Sequence, residues 1–307
     1  MSSFADRARA RAVSVTSVTS DVLLDVRIVA GYALREAVRR KVFVVVVVLT
    51  LGFLALYTYG TKQAFDEVAR FGSGVPADIG EKVLTGSTLL GLAMFVTLFL
   101  GTVIAVFVTL NAVRGDAERG LLQPLVVRPI GRSTLLLARF LAAGAVCVTY
   151  VLAVYAAALA LTNATGGYWP GNPVYGALSL SLAVLVIVAI ALLGTTLLSS
   201  TANGIAIFMV FGAGLAAGLI GQIGAALDSS ALERISSIAS WALPFEAIYQ
   251  DGLHALTADV RGATGVIVQL GPFGGAQDAG ALLIPYILAY LVVVGLVANR
   301  IFSKADL

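Results

Sequence analysis

The chain has 307 residues, of which 59% are hydrophobic and 12% charged, with a mean hydropathy of +0.96 and a formal net charge of +3. A soluble globular chain is about 25% charged, so this one cannot cover a water-facing surface of its size, and a soluble enzyme is excluded. A nucleic-acid-binding role is set aside as well, because the basic residues sit at the ends of apolar runs instead of forming one patch. The lone Cys147 allows no disulfide within the chain, and with the lone His254 it cannot build a zinc site of the usual ligand types.

In chain order, residues 1–20 are rich in Arg, Ser, Thr and Ala and lack an apolar centre, so they read as a disordered cytoplasmic tail and not as a signal peptide. Residues 21–307 read as a single membrane domain. Within 22–41, Val26, Val29, Ala33 and Val38 recur at helical spacing, with Arg27, Arg35 and Arg39 on another face. Two readings stand: an amphipathic helix lying in the membrane interface, or only a basic flank to the first span.

A membrane-spanning helix needs about 20 mostly apolar residues. Six stretches qualify: 42–59, 87–110, 140–162, 175–198, 204–222 and 281–299, and none contains Asp, Glu, Lys, Arg or His. The valine-rich start of the first would suit a strand in water, but in lipid the backbone must pair locally and the run is helical. A β-barrel would need short alternating segments, which these are not. The predicted fold class is therefore all-α, a polytopic membrane protein with six transmembrane helices.

Lys and Arg set the orientation. Fifteen of the 20 lie before the first span, between the second and third, or after the sixth; Lys62, Arg70, Lys82, Arg234 and Arg261 lie on the other side. Both termini are thus expected in the cytoplasm. The expected outer segments are 61–86; 163–174, with Tyr168 and Trp169 as an interfacial pair; and the long acidic 223–280. The link 199–203 is expected to be a tight cytoplasmic turn.

The cytoplasmic segment 114–132 is not an ordinary connector. Asp116 can cap a short helix with Glu118 in its first turn, while Leu121, Leu122, Leu125 and Val126 are too apolar for a solvated loop. Arg128 before Pro129 ends the helical tendency. Such a helix either needs a protein to bury it or lies on the membrane surface.

In the outer segment, Leu232, Ile235, Ile238 and Ala242 fit one helical stripe, and Pro244 can open a second helix with Glu246 in its first turn. Trp241 and Tyr249 are expected as interfacial anchors and His254 as a surface residue. Gly214 and Gly218 of the glycine-rich fifth span form a GxxxG pair, serving packing within one subunit or a contact between subunits. Pro285 is expected to kink the sixth span.

No Gly-x4-Gly-Lys-Ser/Thr occurs, so a nucleotide, if used, is bound by another chain. The ion-free spans weaken an ion-coupled carrier and lack the carboxylate pairs or metal clusters of an intramembrane hydrolase.

The run Glu118-Arg119-Gly120-Leu121-Leu122, followed by Arg128-Pro129-Ile130-Gly131-Arg132 and the entry to the third span, resembles the coupling-helix region of ABC-2-type exporter permeases. It departs from that pattern at Pro124, which breaks or kinks the helix. The run 32–40, with Arg35, Arg39 and Arg40, resembles the family's N-terminal elbow helix, and 241–249 resembles its segment before the last span. Within the family the likeness is greatest to permeases described by multicopper-enzyme maturation, a label that fixes no substrate.

The resemblance implies an exporter permease driven by two copies of a separate ABC ATPase, which bind the ATP and Mg; this chain would hold no cofactor. Coupling would fall to Arg114, Asp116, Glu118, Arg119, Gly120, Leu121, Leu122, Leu125, Arg128, Pro129 and Arg132. A second permease copy would complete a homodimer in a prokaryotic plasma membrane, with spans two and five, including Gly214 and Gly218, along the path between subunits. An outer re-entrant helical pair would close the mouth. No catalytic or metal site is expected in this chain. The alternatives are an ion-coupled secondary transporter or channel, and a non-transport scaffold.

Overall fold

The computed structural model describes residues 41–71, 81–110, 132–257 and 279–304. Among these residues the chain forms eight helices and no strand: α1 (Lys41–Phe71), α2 (Glu81–Thr109), α3 (Arg132–Gly166), α4 (Pro173–Leu197), α5 (Ser200–Ala226), α6 (Ser230–Ala242), α7 (Pro244–Thr257) and α8 (Leu283–Lys304). Six of them, α1 to α5 and α8, are long and apolar enough to cross a membrane. The elbow and coupling segments lie outside the described residues, apart from Arg132, whose backbone opens α3.

The six long helices alternate in direction. At one end Phe65 of α1 meets Gly166 at the close of α3, and Tyr168 covers Gly86 near the start of α2. At the other end Gly204 of α5 lies beside Val106 and Leu110. The segment joining α2 to α3 therefore departs from the same end of the bundle as the short link between α4 and α5.

Burial sorts the helices into layers. The most apolar windows of α2 and α4 are 67% buried, and those of α1 and α8 only 17%. A helix that is apolar all round must be covered all round, by protein or by lipid. Helix α4 is the central post, packed by α3, α2, α5, α7 and α8, while α1 and α8 turn bare valines and leucines such as Val44, Val48, Val292 and Leu296 outward.

Hydroxyls inside this apolar bundle are satisfied locally. Thr97, Thr102 and Thr109 donate to the carbonyls of Ala93, Leu98 and Ala105, four residues back, at 2.6, 2.9 and 2.7 Å. Thr50 and Thr162 donate in the same way to the Val46 and Ala158 carbonyls and also pair across helices, Thr162 with Tyr57 at 2.6 Å and Thr50 with Tyr150 at 2.5 Å, both pairs joining α1 to α3.

Several boundaries differ from the sequence reading for local reasons. Helix α1 runs twelve residues past the expected Tyr59, through Lys62, Asp66, Glu67 and Arg70, because Thr61 and Phe65 on one face of this extension are buried. The expected turn 199–203 shrinks to Leu198 and Ser199. Ser199 is extended, its carbonyl already accepts the Asn203 N–H at 2.9 Å, and the buried Asn203 amide reaches back to the Ala191 carbonyl at 3.1 Å. Pro285 does not kink a span: it falls in the first turn of α8, where its missing N–H breaks no helical bond. After α3 the chain reverses at Gly167, whose φ of +66° suits glycine and whose N–H closes the helix on the Asn163 carbonyl.

Candidate functional site

The helices that do not span, α6 and α7, form a hairpin inserted among those that do. Helix α6 begins beside Gly224, near the end of α5, where Leu232 and Glu233 pack on that glycine. It ends with the carbonyls of Trp241 and Ala242 accepting from the hydroxyls of Tyr286 and Tyr290 on α8, the latter at 2.9 Å. The last carbonyls of a helix have no partner within it, and here two phenols meet them.

Helix α7 starts deep and climbs back. Phe245 stacks on Phe211 of α5 with ring centroids 5.7 Å apart, and Gly214 is the position on α5 that its ring covers. Phe211 lies 15 residues before the end of α5, about 22 Å along the axis. At its far end α7 meets Gly176 near the start of α4 through Leu256, whose carbonyl accepts from Tyr168 at 3.4 Å. The hairpin thus enters and leaves at the same end of the bundle.

Small residues make the insertion possible. Any side chain at Gly214 would collide with Phe245, and one at Gly218 would collide with the Glu246 carboxylate and with Gln250. The GxxxG pair therefore faces α7 of its own chain. Gly91 of α2 and Gly252 of α7 supply further close approaches, against Leu253 and Ser179.

Around this seam sits a polar set that the sequence reading missed. Glu246 is 2% exposed, Gln250 8% and Asp251 6%. The Gln250 amide donates to the Glu246 carboxylate at 2.7 Å. Burial pushes the Glu246 carboxyl up from 4.5 to about 7, against the smaller opposing effect of that hydrogen bond. Its place in the first turn of α7 puts it at the positive end of the helix dipole, where a carboxylate is favoured. Burial likewise pushes the neighbouring Tyr249 phenol up, and the Glu246 charge adds to the effect. Asp251 accepts from the Tyr175 hydroxyl at 2.5 Å and from the Ala279 backbone N–H at 3.1 Å, so it ties α7 to α4 and to the approach to α8.

Two expected anchors are corrected. Tyr249 is fully buried, with its ring 6.4 Å from Phe95 and its hydroxyl donating to the Gly91 carbonyl at 3.4 Å, and Tyr168 is 7% exposed beneath the hairpin. Trp241 and Trp169, by contrast, are 59% and 57% exposed. His254 is half-buried on α7. Of the other residues singled out in the sequence, Arg114, Asp116, Glu118, Arg119, Gly120, Leu121, Leu122, Leu125, Arg128, Pro129, Arg35, Arg39 and Arg40 lie outside the described residues.

The signal for the missed set was present in weak form. Glu246 and Gln250 are four residues apart, hence on one face of a helix, and the facing stripe of α5 is glycine. Neither fact alone marks a buried carboxylate, because α7 is too short and too polar to be read as lying within a bundle.

No curated protein matches the chain. A family model described as ABC-2 family transporter protein matches residues 27–307. The chain belongs to that family, as a multi-pass membrane subunit of a transport system of the ABC type.

Proposed function

Taking that family as premise, we propose that this chain is the permease subunit of an ATP-driven exporter. A separate ATPase binds ATP and Mg and docks on the segment 114–132; two permease copies form a homodimer with two such ATPases in a prokaryotic plasma membrane, both termini in the cytoplasm. The observation that carries the reading is the family match over 27–307, which includes the whole coupling-like segment. Two features support it. That segment leaves the bundle from the end shared with the α4–α5 link, and the basic residues gather on the corresponding side of the sequence. The bare faces of α1 and α8 leave room for a second copy or for lipid.

The test is the double charge reversal Glu118→Arg with Arg128→Glu. ATP hydrolysis should continue in the ATPase while transport stops, with membrane insertion intact. Unchanged ATPase binding and transport in that variant would refute the docking assignment. The buried Glu246 gives the ion-coupled alternative a specific foothold, since an ionisable group at membrane depth is a common feature of carriers. Transport by the purified chain in proteoliposomes, driven by an ion gradient without any ATPase, would decide for that alternative.

A further inference from the structure

The seam between α5 and α7 buries a carboxyl with little to receive its charge. Glu246 is 2% exposed, and among the described residues its one hydrogen-bond partner is the Gln250 amide. An ionised carboxylate has about four acceptor sites, so a single donor leaves most of them unmet. A buried charge in that state costs free energy that the neutral acid does not incur. No relief is available in place: a Cβ at Gly218 would collide with the carboxylate, so α5 lies flush against it.

Relief lies close by. An open groove between α5, α6 and α7 is bordered by Gly218, Gly221, Ser236, Ser240 and Gln250, with the exposed Glu233 at its rim. Glu246 does not line the groove, but Gly218 and Gln250 are residues that its carboxylate touches. A small turn or outward shift of α7 therefore carries the carboxylate into the groove and to water. The architecture permits that movement. The hairpin enters and leaves at the same end of the bundle, and it rests on α5 at Gly214, Gly218 and Gly221, which offer no side chain to catch it.

Few other charges bear on the group. On α7 its charge acts on the Tyr249 phenol, with Asp251 and His254 further along. Helix α5 has no titratable side chain, and α4 has only Tyr175, which is bonded to Asp251. Helix α6 brings Glu233 and Arg234, both exposed; α2 brings Glu81 and Lys82 at its very start; α8 brings Tyr286 and Tyr290, whose hydroxyls are held by the α6 carbonyls. We propose that Glu246 is a pH-sensitive latch: protonated, it lets α7 seat against Gly214 and Gly218, and ionised, it drives the α6–α7 hairpin off that seam toward the groove. Burial pushes the carboxyl up from 4.5 to about 7, so seating is fully favoured below the ordinary value and is lost as pH rises through about 7.

The experiment is amide hydrogen exchange of the full chain in nanodiscs at about pH 5 and pH 8, read by mass spectrometry and corrected for the intrinsic pH dependence of exchange. Protection of residues 244–257 should fall roughly tenfold or more at the higher pH, while that of α4 holds. Glu246→Gln, which cannot ionise, should keep its acid-side protection at alkaline pH. Gly218→Ala should lower protection of 244–257 already at about pH 5, because the added methyl takes the carboxyl's place. No ATPase is present and no transport is read, so the outcome is independent of the exporter reading. Equal wild-type protection of 244–257 at the two pH values, the same fall in Glu246→Gln, a parallel fall in α4, or an undisturbed hairpin in Gly218→Ala would overturn the latch.

Discussion

Replacing Glu246 by glutamine should make the protein more stable at alkaline pH and remove one component of its pH dependence. The carboxyl is 2% exposed and its pKa is raised from 4.5 to about 7, chiefly by burial. A group that holds its proton more tightly when folded stabilises the fold fully below the unfolded value of 4.5, and that contribution is lost as pH rises through about 7. At about 1.4 kcal/mol for each pKa unit, the difference between the protonated and ionised extremes is about 3 kcal/mol. The amide introduced by Glu246→Gln keeps the shape and can still accept from Gln250, but it never has to carry a buried charge. Thermal unfolding in nanodiscs between about pH 5 and pH 8 should show the wild-type midpoint falling as pH rises and the variant's falling less. On the same helix the Tyr249 phenol is the titratable group coupled to it. An identical fall in both proteins would refute the reasoning.

Other perturbations read the same seam. Gly214→Leu should lower the unfolding midpoint by overpacking against Phe245, at a cost of about 1–3 kcal/mol, and Phe245→Ala in the same chain should return part of that loss; an additive double variant would show that the two residues do not meet. Tyr286→Phe with Tyr290→Phe strips the hydroxyls from the end of α6 and should raise amide hydrogen exchange in residues 230–243 while leaving α4 protected. Asp251→Ala leaves the Tyr175 hydroxyl and the Ala279 N–H without their acceptor and should lower the midpoint modestly, by about 0.5–1.5 kcal/mol for each lost bond, since both donors can turn to water; a wild-type midpoint would show that this tie is not structural.

The spans were legible because lipid leaves little choice: long runs without charge must be helical, and all six expected stretches coincide with long helices. Their ends were less legible. Charges at Asp66 and Glu67 read as a loop, yet the buried Thr61 and Phe65 on one face of the same turns keep α1 helical. The start of α7 at Pro244 was readable from the residue's fixed φ and missing N–H. The depth of α7 was not, since it depends on glycines in another helix that make room for Phe245 and Glu246. Tyr168 and Tyr249 illustrate the same limit: an aromatic with a polar tip suits the headgroup region and a buried carbonyl equally well, and only the partners Leu256 and Gly91 decide.

The two phenols on α8 have a mechanical meaning. That helix is a nearly uncovered rod running from the hairpin's innermost point to the opposite face of the bundle, and Pro285 supplies no soft joint along it. A tilt imposed at its Lys304 end must either tear the tyrosines from the Trp241 and Ala242 carbonyls or haul the hairpin with it. Force applied at the Lys304 end of the bundle therefore has a short, stiff route to the α6–α7 hairpin at the other.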